Sequence, residues 1–334
     1  MKANDLIYAP RLEQPFRCRV PLKDTSQVFL VDGTVQGAGH PLAFRLEDGQ
    51  QQERMLQVIA VRTAGGPRDL AFGESYRFGR GSSGKIILCA HTFSSDVFHT
   101  EEEVEISLAE DASAEFVVMQ NEHNLAEHET AFRIRLSAGA SLKMVFLSLH
   151  GGVIRNRITA EMAGGHAFCD LSGLYLTDGD QRMDYDIRMT HLVPDCHSTQ
   201  LFKSILDNRG VAHFDGLVKV VPDAQRTEAY QANHNLLLSD QARAYTRPQL
   251  EIYADDVKCS HGATIGRLNA DELFYLRSRG IPVAEARLLQ QMAFAAEVVE
   301  KISSRELRER MQSLVEKRLR GEFSRCQNCS KNCC

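Results

Sequence analysis

VEISLAEDASAEFVV (residues 104–118) and FRIRLSAGASLKMVF (132–146) carry one pattern twice. Ile106 matches Ile134, Leu108 matches Leu136, and Ala112-Ser113 matches Ala140-Ser141, all at an offset of 28. Each copy runs strand, small-residue turn, strand, because apolar and polar residues alternate with period two on both sides of a short run of Ala, Gly and Ser. RITAEMAGGHAFCDL (157–171) is a third, degenerate copy, and further turns pass through 185–189 and SILDNRGVAHFDGLV (204–218). Toward the N-terminus the same alternation runs through 56–61 and 85–89. No helical pattern separates these strands, which argues against a βαβ architecture. A helix-free period of about 20 to 30 residues predicts a β-solenoid, each coil burying its inner face on its neighbours. A jelly roll or sandwich also has many short strands and stays open as the alternative.

The chain has 334 residues, 43% of them apolar and 25% charged, which excludes global disorder. Lys and Arg total 39 against 44 Asp and Glu, a formal charge of −5. Nucleic-acid binding needs a concentrated basic face, so no nucleic-acid partner is expected. No apolar run reaches the roughly 20 residues of a membrane helix, and the first twenty residues have no apolar stretch of the secretory kind. The expectation is a cytoplasmic protein with no membrane partner.

After residue 268 the period changes. Asn269 reads as an N-cap with Glu272 three residues on, followed by Leu273, Phe274 and Leu276 and a stop at Gly280. Pro282 opens a longer helix with Ala286, Leu289, Ala293, Ala296, Val299 and Ile302 as its apolar stripe. Ser303 with Glu306 reads as a capping box for a charged helix to about Arg320, with Leu307, Met311, Leu314 and Leu319 on one side. The organisation read from sequence is a short N-terminal segment (1–55), a β-helix core (56–268), a helical region (269–322) and a Cys-rich tail (323–334).

Few motifs carry chemistry. The run 79–85, GRGSSGK, nearly spells a phosphate-binding loop, but Ile86 stands where Ser or Thr would hold magnesium and a strand follows instead of a helix. A Gly-rich hairpin turn is the better reading. His123, His128, Glu122, Glu127 and Glu129 crowd NEHNLAEHE (121–129), a set able to bind a transition metal yet expected in a solvated loop. Cys326, Cys329, Cys333 and Cys334 form a thiol tail: four thiolates can encircle zinc or iron, or the tail picks up metal opportunistically or oxidises. No nucleophile elbow, dinucleotide fingerprint or HExxH is present.

Residues 247–264 (RPQLEIYADDVKCSHGAT), continuing into LFYLRSRGI (273–281) and AFAAEV (293–298), closely resemble the SufD branch of the SufB/SufD family, scaffold proteins of the Suf iron–sulfur cluster assembly system. HSTQLFKSILDNRGVAHFDGLVKV (197–220) and NHNLLLSD (233–240) look like the stretch that precedes it in that family. The segment KCSHG (258–262) is similar to SufD, whereas SufB-like chains carry a glutamate-containing segment there and a further upstream cysteine with no convincing equivalent here. The resemblance implies a right-handed parallel β-helix with a helical C-terminal region, and a non-catalytic scaffold. It implies pairing with SufB through the last core strands, binding of the SufC ATPase, and a transient cluster built at the SufB–SufD interface. An edge strand of that kind would also allow a homodimer of the isolated chain. Family members commonly carry a longer helical region before the core than residues 1–55 provide.

Two site expectations follow. Cys259 and His261 stand two residues apart in a strand, so both side chains project to one face, a soft and a borderline ligand suited to iron. On residue types alone a satisfied histidine and a buried thiol at the end of the core are the better reading. The resemblance places His261 where SufD proteins carry a histidine implicated in cluster assembly, with the cysteine partner coming from SufB and no stable cluster held by this chain alone. For the ATPase contact, Arg277, Arg279, Glu285 and Glu297 are the candidates, on the polar side of the helices. Two other classes compete: a stand-alone β-helix carbohydrate-active enzyme, and a free-standing metal-handling protein using the Cys tail.

Overall fold

Successive strands fall alternately into two sheets, one of ten strands and one of eight. In the computed structural model, which describes residues 22, 25–63, 66–92 and 97–321, each coil contributes one strand to each sheet. Within the sheets nearly all neighbours are parallel, as a solenoid requires. The result is a parallel β-solenoid of about eight turns followed by three helices.

The repeat read from sequence is the register of the structure. Strand Phe98–Leu108 pairs with Ala126–Leu136 so that Ile106 lies against Ile134 and Leu108 against Leu136, and Ser113 lies against Ser141 on the other sheet. The corner between sheets explains the small residues. Asp111, Gly139 and His166 adopt positive φ at equivalent places in three successive coils. The residue that follows turns inward and stacks on its equivalent in the next coil. Ser82, Ala112, Ala140, Ala167, Cys196 and Thr227 make this column, linked by Ser113 N to Ser82 O, Ser141 N to Ala112 O, Phe168 N to Ala140 O, His197 N to Ala167 O and Glu228 N to Cys196 O. All six are 1% exposed or less, so only small side chains fit there, Cys196 among them.

Between the sheets runs an aromatic column that includes Tyr76, Phe116, Phe132, Phe146, Tyr185, Phe202 and Phe214. Adjacent rings meet edge-on or tilted, as Phe132–Phe146 at 5.2 Å and Phe202–Phe214 at 5.4 Å.

The two sheets differ on their outer faces. Strands of the eight-stranded sheet alternate buried and exposed residues, as in Ala126–Leu136. Strands of the ten-stranded sheet are buried on both faces over much of their length, as in Phe168–Thr177, because helices cover them. Helix α1 (Ala270–Ser278) stands clear with no buried residue, while α2 (Val283–Val299) and α3 (Arg305–Leu319) pack on Val145, Leu147, Leu174, Leu176 and Ile205. Arg318 fixes α3, donating to Leu149 O at 2.6 Å, to Asp178 at 2.8 Å and to Gln181 at 2.9 Å.

Several sequence expectations shift. The parallel ladder begins at Thr25–Val31, which pairs in register with Met55–Arg62, so part of the segment read as a separate N-terminal piece belongs to the solenoid. The turn at 79–82 is a coil corner and not a hairpin, because Asp69–Phe78 and Ser83–Thr92 lie in different sheets. Of the expected apolar stripe, Ala286, Val299 and Ile302 are buried, but Leu289 is 49% exposed and Ala293 is exposed, and Leu288, Gln291, Ala295 and Val298 are buried instead, so the stripe is rotated from the expected one. The rotation follows from the anchors at the helix end: Lys203 pairs with Glu297, and Lys301 pairs with Asp170 at 2.9 Å. The cap of α3 is Ser304, whose side chain accepts from Leu307 N, whereas Ser303 bonds Glu115.

Candidate functional site

The last coil is formed by strands Arg243–Ile252 and Val257–Gly266, each the terminal strand of its sheet. One coil back, the inward residues Phe214, Gly216, Val218, Ala229, Gln231 and Asn233 are all buried. Their register partners in the last coil are not. Thr246, Pro248 and Leu250 are half-buried, and Ala263 and Ile265 are exposed. The inner face of the solenoid is therefore open at this end, with Tyr245, Tyr253 and Ile265 exposed around it. Ala242 and Ala254, at the corners of this coil, are the buried exceptions.

Cys259 lies beside Ala229 and His261 beside Gln231, so both face the solenoid axis, as the spacing predicts. Their depths differ. Cys259 is half-buried against the core and burial pushes its thiol up, which disfavours the thiolate. His261 is exposed. Lys258 and Ser260 take the outer face, Lys258 pairing with Glu228 at 2.8 Å. Among the described residues no group of three or more His, Cys, Asp or Glu is arranged to hold a metal ion. Cys326, Cys329, Cys333 and Cys334 lie outside the described residues.

The four helical candidates separate into two kinds. Glu285 is held by Arg320 at 2.7 and 3.1 Å, which keeps its carboxyl below the ordinary range. Glu297 pairs with the buried Lys203, whose ammonium lowers it likewise, and Lys203 also donates to Phe294 O at 3.2 Å. These two carboxylates fasten the helices to their own chain. Arg277 and Arg279 lie on or just after α1 and are exposed, Arg279 stacking over Tyr275 at 5.1 Å. Beside them Phe274 is 73% exposed, so α1 presents an aromatic and basic surface.

The segment 121–129 is only partly a solvated loop. His123 and Leu125 stay near the surface, but the strand Ala126–Leu136 turns His128 inward, where it is 3% exposed. Its Nδ1 meets Glu122 and its Nε2 meets Glu102 at 3.0 Å. Burial by itself would lower the imidazole. The two carboxylates more than offset this and push it up to about 10, so His128 is an imidazolium clamped between carboxylates. Both ring nitrogens are occupied, which removes His128 as a free metal ligand. Nearby, burial and the charge of Glu102 raise Glu74, which accepts a hydrogen bond from Tyr76.

Sequence reasoning missed Gln231 and Thr246, polar residues at inward positions near the open end. For Thr246 the signal was available, since it sits at the parity that is otherwise apolar in its strand, whereas Gln231 shares its parity with Asn233 and Asn235, so alternation did not mark it as inward.

The fold and this end define a parallel β-solenoid with an open inner face and, among the described residues, two unpaired sheet edges. A family model described as SUF system FeS cluster assembly, SufBD core domain, matches residues 76–294, and the chain belongs to this family. It is 34% identical over 216 residues to the iron–sulfur cluster assembly protein SufD of Escherichia coli (strain K12), covering 65% of this chain and 51% of that protein. An iron–sulfur cluster assembly SufBD family protein of Synechocystis is 35% identical over 211 residues, 63% of this chain and 47% of that one. A further one, from Mycobacterium tuberculosis (strain ATCC 25618 / H37Rv), is 34% identical over 200 residues, 58% and 50%. The chain spans about half the length of the curated relatives it matches.

Proposed function

We propose that this chain is a non-catalytic scaffold subunit of cytoplasmic iron–sulfur cluster assembly. Its open last coil pairs edge to edge with a SufB-type subunit, and a transient cluster is built in the joined interior. The observation that carries this reading is the unpaired pair of strands Arg243–Ile252 and Val257–Gly266, which leaves backbone donors and acceptors of both sheets available to a partner strand. His261 supplies an imidazole to the cargo from the inner face. Cys259, with its thiol raised, is the weaker donor. Thiolates come from the partner, because the described residues of this chain offer no complete ligand set.

A SufC-type ATPase docks on α1, where Arg277 and Arg279 are exposed. Glu285 and Glu297 serve the docking indirectly by holding α2 in place. Closure of the ATPase would then pull on helices clamped to the ten-stranded sheet, which ends in the strand of His261. The same open edges allow a homodimer when the partner is absent.

Co-expression with SufB- and SufC-type subunits tests the assignment. The three should co-purify, and His261→Ala should leave assembly and ATP hydrolysis intact while iron and labile sulfide fall. A solitary protein on co-expression, or full cluster content with His261→Ala, refutes the respective part.

A further inference from the structure

Directly behind His261 lies an amide with a missing partner. Gln231 is 3% exposed, and its Nε2 donates to Gln200 Oε1, one coil back, at 2.8 Å. Its Oε1 is buried and, among the described residues, accepts no hydrogen bond. The amide is planar, so a nitrogen turned back toward Gln200 puts the oxygen on the side of the last coil. There the in-register neighbour is His261, on a strand about 4.8 Å away. Gly216 makes room for this amide: a Cβ at that position would lie 2.5 Å from Gln231 Nε2. Buried polar atoms are rarely left unpaired, and an apolar side chain of the same length would avoid the cost here.

We propose that Gln231 is the positioning residue for His261. Its Oε1 accepts the proton-bearing nitrogen of the imidazole, fixes the ring tautomer, and leaves the other nitrogen's lone pair directed out of the open end toward the metal cargo. Histidine ligands generally depend on such a second hydrogen bond for tautomer and orientation. The inference rests on the reading of His261 as a cargo ligand.

The test uses the full chain labelled with 15N-histidine, with ring nitrogens observed where the imidazole is neutral and His261→Gln used for assignment. The wild type should show one dominant His261 tautomer. Gln231→Leu should return it to a mixture, and Gln231→Glu, which keeps an acceptor and lets Gln200 donate its unpaired Nε2, should restore it. Gln231→Met replaces the leucine variant if that one does not fold. In the complex with SufB- and SufC-type subunits, the apolar variant should lower iron and labile sulfide about tenfold with co-purification unchanged. An unchanged tautomer ratio, or a cluster content equal to wild type, overturns the role of Gln231. If His261→Ala also leaves the cluster intact, the ligand reading falls; if it abolishes the cluster while Gln231→Leu does not, only the positioning role falls.

Discussion

Replacing His128 with Gln should unfasten the interior of the N-terminal half of the solenoid, and the loss should depend on pH. His128 is buried between Glu122 and Glu102, with Thr130 as a further partner of Glu102 at 3.3 Å. Removing one partner of a buried ion pair costs about 3–5 kcal/mol, because it strands the opposing charge. Linkage gives a similar figure. An imidazole moved from 6.5 to about 10 corresponds to roughly 5 kcal/mol, since each pKa unit is worth about 1.4 kcal/mol. A raised pKa means that this stability is fully present below about pH 6.5 and is lost as pH climbs toward 10. Glu74, also raised, acts in the same direction from a lower starting pH. The wild type should therefore exceed His128→Gln by about 3–5 kcal/mol at pH 7 and by much less at pH 10. Denaturant unfolding at both pH values measures the gap, and titrating groups that do not face His128 cancel between the two proteins. Solenoid coils can open separately, so amide exchange over residues 98–136 should accompany it. A gap under about 1 kcal/mol at pH 7, or one that is equal at both pH values, refutes the imidazolium clamp.

The helices offer a second test. Glu297→Lys faces Lys203 with a like charge and should cost about 1–3 kcal/mol by thermal or chemical unfolding, whereas Arg279→Glu should cost under about 1 kcal/mol and still weaken ATPase binding. Gly173→Ala drives a Cβ to 2.5 Å from the Phe202 ring and should cost about 1–3 kcal/mol, while Gly262→Ala, with open space around it, should be near neutral in the same assay.

The sequence by itself determined the repeat, and through it the solenoid. The offset of 28 between 104–118 and 132–146 became the strand register because each coil must lay like residues on like. The caps of α1 and the face shared by Cys259 and His261 were equally legible, since caps and strand parity are local. Tertiary structure decided what depends on the neighbour one coil away or on a distant element. Strand alternation could not reveal that 121–129 sends His128 into the interior, because the partner Glu102 lies a full coil earlier. Helical periodicity gave α2 an apolar stripe but not its rotation, which Lys203 and Asp170 fix from the sheet. It could not tell a free carboxylate from one already paired, as Glu285 and Glu297 are. Nor could strand alternation alone show that the inner face ends uncovered at His261, with a buried amide behind it whose oxygen lacks a partner among the described residues. Exposure at an edge is a property of where the stack stops, and no single strand encodes it.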